Sequence, residues 1–137
     1  ENYPRQALLT CMTSLSTHDT ERIMTALSES LPAEKVGDAM RCAAAIQFFL
    51  PGMPCIYYGD ETGMTGGADP FNRGFFTEHD RELTEFYRRL GNMRKKSPAL
   101  RRGTLEITEK PGAVVISRSL GGEKRTLTVS PTEFDIR

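Results

Sequence analysis

The chain has 137 residues, and Lys+Arg and Asp+Glu each total 18, so its formal charge is zero. A neutral chain gives no electrostatic reason to expect nucleic acid or an anionic membrane surface as partner, and no apolar run approaches the roughly 20 residues that cross a bilayer. The length is enough for one domain with a core of its own.

Cys11, Cys42 and Cys55 are odd in number and widely spaced. That argues against a disulfide framework, and no CxxC pair suggests zinc. Each lies among apolar residues, where a thiol packs as a small hydrophobe. This usage suits a reducing cytoplasm. The first residues lack the basic-then-apolar pattern of a secretion signal.

Taken in order, Pro4 followed by Gln6–Met12 predicts a short helix. Thr13–Thr17 predicts a buried strand with His18-Asp19-Thr20 at its C-terminal end. A helix is expected to start at Glu21–Leu27, interrupted by Leu31-Pro32-Ala33. Glu34–Leu50 predicts a longer helix, apolar at Val36, Met40, Ala43, Ala44, Phe48 and most positions between, hence buried on more than one side. Pro51-Gly52 stops it. Cys55-Ile56-Tyr57-Tyr58 is β-branched and aromatic and predicts a second buried strand, ending in Gly59-Asp60-Glu61. Thr62–Phe76 predicts a long glycine-rich loop.

Thr77-x-x-Asp80 resembles a capping box. The helix behind it carries Leu83, Phe86, Tyr87, Leu90 and Met93 at helical spacing, and Arg94-Lys95-Lys96 closes it with cations that suit the dipole. After Ser97-Pro98 the period becomes two. Strands are expected at Thr104–Thr108, Ala113–Ser119 and Arg125–Val129, with turns at Pro111-Gly112 and Gly121-Gly122. The chain thus divides into an α/β part over 1–99 and an antiparallel β part over 100–137. One pair of strand–helix repeats cannot close a barrel, which hints at truncation.

Three clusters could carry chemistry. His18-Asp19 at a strand end can present an imidazole and a carboxylate to a pocket, or Asp19 or Thr20 can simply cap the next helix. Asp60-Glu61 are adjacent, and neighbours on an extended chain face opposite ways, so structural pairing is the better local reading. In Gly66-Gly67-Ala68-Asp69-Pro70-Phe71-Asn72-Arg73 the ion pair Asp69–Arg73 could bridge the loop, or both could face a polyhydroxylated ligand. No spacing here resembles a metal site or a phosphate-binding loop.

Three stretches, SLSTHDTER, LPGMPCIYYGDETGMTGGADPFNR and LTEFYRRLGNMRKKSPALRRG, resemble the α-amylase family, in particular its neopullulanase, cyclomaltodextrinase and maltogenic amylase branch. They cover about the first three quarters of the chain, in the family's order. The resemblance implies the C-terminal part of a TIM (β/α)8 barrel, its last two strands and their helices, followed by the start of an antiparallel β-sandwich.

The resemblance also implies a retaining glycosidase acting on α-1,4-linked glucans or maltooligosaccharides, with α-1,6-linked ones as an additional substrate class. Asp19 would be the transition-state stabiliser and His18 a donor to the same sugar. Asp69, Arg73 and Tyr58 would bind substrate, and Arg22, Asp60 and Glu61 would support the site. No metal and no cofactor is expected, nor nucleic acid or membrane, and the branch suggests a cytoplasmic enzyme. The nucleophile and general acid belong to strands that this sequence does not contain, so the chain alone is expected to be inactive and, with open strand edges, to self-associate. The competing readings are a non-catalytic amylase-like scaffold and a stand-alone carbohydrate-binding module. For the second, Tyr57, Tyr58 and Phe75 would stack on sugar rings.

Overall fold

The computed structural model describes residues 4–130 and 133–137. Helix α1 (Arg5–Leu8) leads into strand β1 (Met12–Thr13), and helices α2 (Ile23–Ser30) and α3 (Ala33–Phe49) precede strand β2 (Met53–Pro54). Two 3-10 turns follow, at Asp60–Thr62 and Phe71–Arg73. Then come α4 (Arg81–Lys96), α5 (Pro98–Arg102), β3 (Thr104–Lys110), β4 (Ala113–Leu120), β5 (Glu123–Val129) and β6 (Phe134–Ile136). Strands β1 and β2 pair in parallel, and β3 to β6 form an antiparallel sheet in chain order. Among the described residues no helix is long and apolar enough to cross a membrane.

The helix ends follow local chemistry. Pro51 drives Leu50 into an extended conformation (ψ 150°) and stops α3. Asp80 caps α4, its carboxylate accepting from the Leu83 amide at 2.9 Å. The expected box over Thr77-x-x-Asp80 does not form, because the Thr77 hydroxyl pairs with His79 instead. Ser97 caps α5 with Pro98 at its first turn, a short helix that the sequence pattern does not announce. Gly121 and Gly122, both at positive φ, close the hairpin between β4 and β5.

The two expected buried strands are much shorter than their apolar runs. Thr13–Thr17 contributes only Thr13 to the pairing at Met12↔Met53 and Thr13↔Pro54, and the Cys55–Tyr58 run adds only the Cys55 amide, which donates to the Thr13 carbonyl at 2.8 Å. At the end of the pair the buried side-chain amide of Gln47 donates to the carbonyls of Thr13 (2.8 Å) and Cys55 (3.0 Å). Helix α1 also stops before the expected Met12, since the Cys11 carbonyl accepts from the Met53 amide in that pairing.

One core joins the helices to the antiparallel sheet. Met40, Ala44, Ala45, Phe48 and Phe49 of α3 meet Leu83, Phe86, Tyr87 and Leu90 of α4, with Leu100, Ile116 and Leu127 behind them. Two buried arginines tie this body to the end of α3. Arg94, expected as helix-end surface charge, turns inward and donates to the carbonyls of Phe48, Leu50 and Gly52. Arg118 of β4 donates to Phe49 and Gly103. Both satisfy carbonyls that a helix end or loop leaves over, and burial lowers the pKa of each guanidinium. The cysteines depart from the core expectation: Cys11 is exposed, and Cys42 and Cys55 are half-buried.

Candidate functional site

The site is built from two loops, the segment after β1 and the long segment after β2, clamped around one buried ion pair. Ser16 is buried. Its hydroxyl donates to Asp60 Oδ1 at 2.9 Å and accepts from the Ile23 amide at 2.9 Å, so it holds the start of α2 against the second loop. Arg22 is fully buried, donating to the Tyr58 carbonyl at 2.7 Å and lying 3.6 Å from Asp60 Oδ1. Its guanidinium carbon is 4.7 Å from the ring centroids of both Tyr57 and Tyr58. Two aromatic faces therefore share the cation with one carboxylate.

Burial pushes the Asp60 carboxyl up to about 6, against the pull of the Ser16 hydroxyl and the Arg22 charge. Its neighbour Glu61 turns the other way, accepting from the Gly59 amide at 2.8 Å. The two carboxylates thus serve separate partners, although they lie in a 3-10 turn rather than on the extended chain that the sequence suggested.

The exposed chemistry stands on this frame. His18 and Asp19 are solvent-facing, with His18 Nε2 3.3 Å from Asp19 Oδ1. Neither Asp19 nor Thr20 caps α2. The cap position is Arg22, and the Ile23 amide is met by Ser16. On the second loop the Arg73 guanidinium donates to Asp69 at 2.8 Å, both side chains about half exposed. Tyr58 donates its hydroxyl to the Gly74 carbonyl at 2.7 Å, so its polar end holds the loop while its ring faces Arg22. Phe75 is 98% exposed and Phe71 77%, so the aromatic surface of this loop comes from phenylalanines rather than from the two tyrosines.

Asn72, at the centre of the Phe71–Arg73 turn, is absent from the sequence-based set of site residues, yet it joins the two loops. It is fully buried, and its amide donates to the carbonyls of His18 at 2.9 Å and Thr20 at 2.8 Å. Gly66 allows the close approach behind it, since a Cβ there would lie 2.6 Å from the Phe71 carbonyl oxygen. Ser16 was missed in the same way. A lone Ser or Asn inside a polar stretch carries no periodic signal, and its role exists only once the second loop folds back. Among the described residues no group of three His, Cys, Asp or Glu side chains could hold a metal ion.

The chain is similar to known proteins over most of its length. The family model for the α-amylase catalytic domain matches residues 3–102. A cyclomaltodextrinase from a Bacillus species is 40% identical over 109 residues, which is 77% of this chain and 18% of that protein. An amylopullulanase from Thermoanaerobacter thermohydrosulfuricus is 36% identical over 125 residues, 83% of this chain and 8% of that protein. Among solved structures, an Anoxybacillus α-amylase superposes with a TM-score of 0.81 at 32% identity, covering 90% of this chain and 27% of that one. The chain therefore spans less than a fifth of the length of these two curated relatives, and over that span it belongs to the α-amylase family.

Proposed function

We propose that the chain supplies one side of the glucan site of a retaining α-amylase-family glycosidase. The observation that carries this reading is the pairing of two exposed ionic couples, His18–Asp19 and Asp69–Arg73, on loops that Asn72 ties together. In this reading residues 1–99 are the last two strands and helices of a (β/α)8 barrel, and residues 100–137 begin the C-terminal sandwich. Asp19 stabilises the positive charge that develops on the sugar ring in the transition state, and His18 donates to hydroxyls of the same unit. Asp69 and Arg73 hold the adjacent unit, an arrangement in which a carboxylate accepts from, and a guanidinium donates to, sugar hydroxyls. Tyr58, Arg22, Asp60 and Glu61 set the loop shape. The substrate is an α-linked glucan or maltooligosaccharide, as the names of the cyclomaltodextrinase and amylopullulanase relatives suggest.

The nucleophile and the general acid/base come from outside these 137 residues. The chain by itself accordingly binds oligosaccharide weakly and hydrolyses none. The test is an NMR titration of the chain with maltotetraose, alongside a reducing-sugar assay. Shift changes confined to His18–Thr20 and Asp69–Arg73 are expected, with no new reducing ends. No shifts at either loop would remove the glucan reading, and hydrolysis by the chain alone would remove the division of catalytic residues.

A further inference from the structure

Asn72 is the only residue of the Phe71–Arg73 turn that points inward, with Phe71 and Arg73 exposed on either side of it. Both of its amide protons are used on the backbone of the opposite loop, on the two carbonyls that flank Asp19. Its own oxygen is buried without a partner among the described residues. A buried unpaired acceptor is costly, so this amide is poorly explained as a device for stability alone. What it does provide is a fixed offset. One side chain links the backbone on either side of Asp19 directly to the turn carrying Arg73.

Further links between the two loops, from the Arg22 amide and the Thr25 hydroxyl to Gly66, lie beyond the His18–Thr20 segment. Asp19 and Thr20 otherwise have local contacts to Thr17, which shape the turn without setting its distance from the second loop. Arg22 and Ser16 anchor the loop only at its two ends.

We propose that Asn72 is a positioning residue that sets the spacing between two adjacent sugar-binding positions, one at His18–Asp19 and one at Asp69–Arg73. The inference rests on the reading that these couples bind glucan. A ligand spanning both positions gains from their being held in register, because the second contact forms at high effective concentration. A ligand that fills only one position gains nothing from the link. Asn72 therefore acts on oligosaccharides and not on single sugars.

The test uses the 137-residue chain, with Asn72→Ala and with Asn72→Asp, which keeps the size but removes both donors. Backbone order parameters of His18–Thr20 are measured by NMR relaxation, and binding of maltotetraose and of methyl α-glucoside by titration. In the variants the order parameters are expected to fall from the rigid range near ~0.85 to below ~0.6, while those of the two long helices stay as in the wild type. Maltotetraose binding is expected to weaken by about tenfold and methyl α-glucoside binding to stay unchanged, the pattern of a lost link between two sites.

Unchanged order parameters at His18–Thr20 in the variants would overturn the proposal, as would equal weakening for both sugars. If the wild-type chain binds neither sugar, the glucan reading fails on its own, and the loop measurement alone then upholds or overturns the link.

Discussion

The body of the molecule and its site region each bury arginine, and they use it differently. In the body, Arg94 and Arg118 are spent on backbone carbonyls at the end of α3 and at Gly103, inside a core of α3, α4 and the antiparallel sheet. In the site region, Arg22 is shared among Tyr57, Tyr58, Asp60 and one carbonyl, all from the other loop. The body is thus held by apolar burial, with arginines finishing its loose ends. The site is held largely by polar cross-links between loops, with Met64 as a buried apolar residue of the second loop. Substitutions in the body should therefore cost global stability, and substitutions in the site should cost local order and ligand binding.

The largest expected effect lies at Phe49, which is fully buried in the body's core. Phe49→Ala should lower unfolding free energy by about 3–5 kcal/mol, read from urea denaturation. A loss under about 1 kcal/mol would mean that the helix–sheet core does not carry the fold. Next comes Arg118→Met, which keeps an apolar stem but strands the carbonyls of Phe49 and Gly103. A loss of about 1–3 kcal/mol is expected. A stabilised Arg118→Met variant would show that burying the cation costs more than its two hydrogen bonds return.

The body was also the part more legible in the sequence. Leu83, Phe86, Tyr87, Leu90 and Met93 recur at helical spacing, and the hairpin glycines have one conformational use, so α4 and β3 to β5 fall close to expectation. Burial patterns of this kind are local and periodic. The short parallel pair was overestimated because an apolar run predicts burial but not which backbone it pairs with, and the pairing lies at Met12↔Met53 and Thr13↔Pro54. Arg94 was misplaced for a related reason: a cation at a helix end reads as surface unless the carbonyls it meets are known.

In the site, the exposed couples stood out by their local chemistry and received sugar-binding roles only through resemblance, while Ser16 and Asn72 received no role at all. Their partners are more than 40 residues away in the chain, and a long-range polar contact leaves no trace in local pattern.

The pH dependence separates the two regions by sign. Asp60 in the site has its folded pKa raised to about 6 by burial, above an unfolded value near ~3.9. The folded state therefore binds the extra proton, and the stability from this group is greatest below about pH 4 and falls as pH rises toward about 6. Glu123 in the body behaves oppositely. It accepts from the Ser97 hydroxyl at 2.7 Å and the Ala99 amide at 3.1 Å, and these bonds lower its pKa. Its contribution is complete above the unfolded carboxylate value and is lost as pH falls through the folded one. Asp60→Asn should remove the decline between about pH 4 and 6 from the stability profile, and Glu123→Gln should remove part of the acid-side loss. Identical profiles for wild type and Asp60→Asn would mean that folding does not shift the Asp60 pKa.

The smallest expected effect is at the exposed couple. The Arg73 and Asp69 side chains are 48% and 58% exposed, and water screens such a pair until little is left of it. Arg73→Ala should therefore shift unfolding free energy by less than about 0.5 kcal/mol, while removing the donors that the proposed sugar position requires. The combination matters more than either number. A neutral effect on stability together with lost maltotetraose binding is the result that the proposed sugar position requires. If Arg73→Ala instead lowered stability by more than about 1 kcal/mol, the couple would be a structural bridge of the loop. The distinction between a body built for burial and a site built for contact would then fail where it is most easily measured.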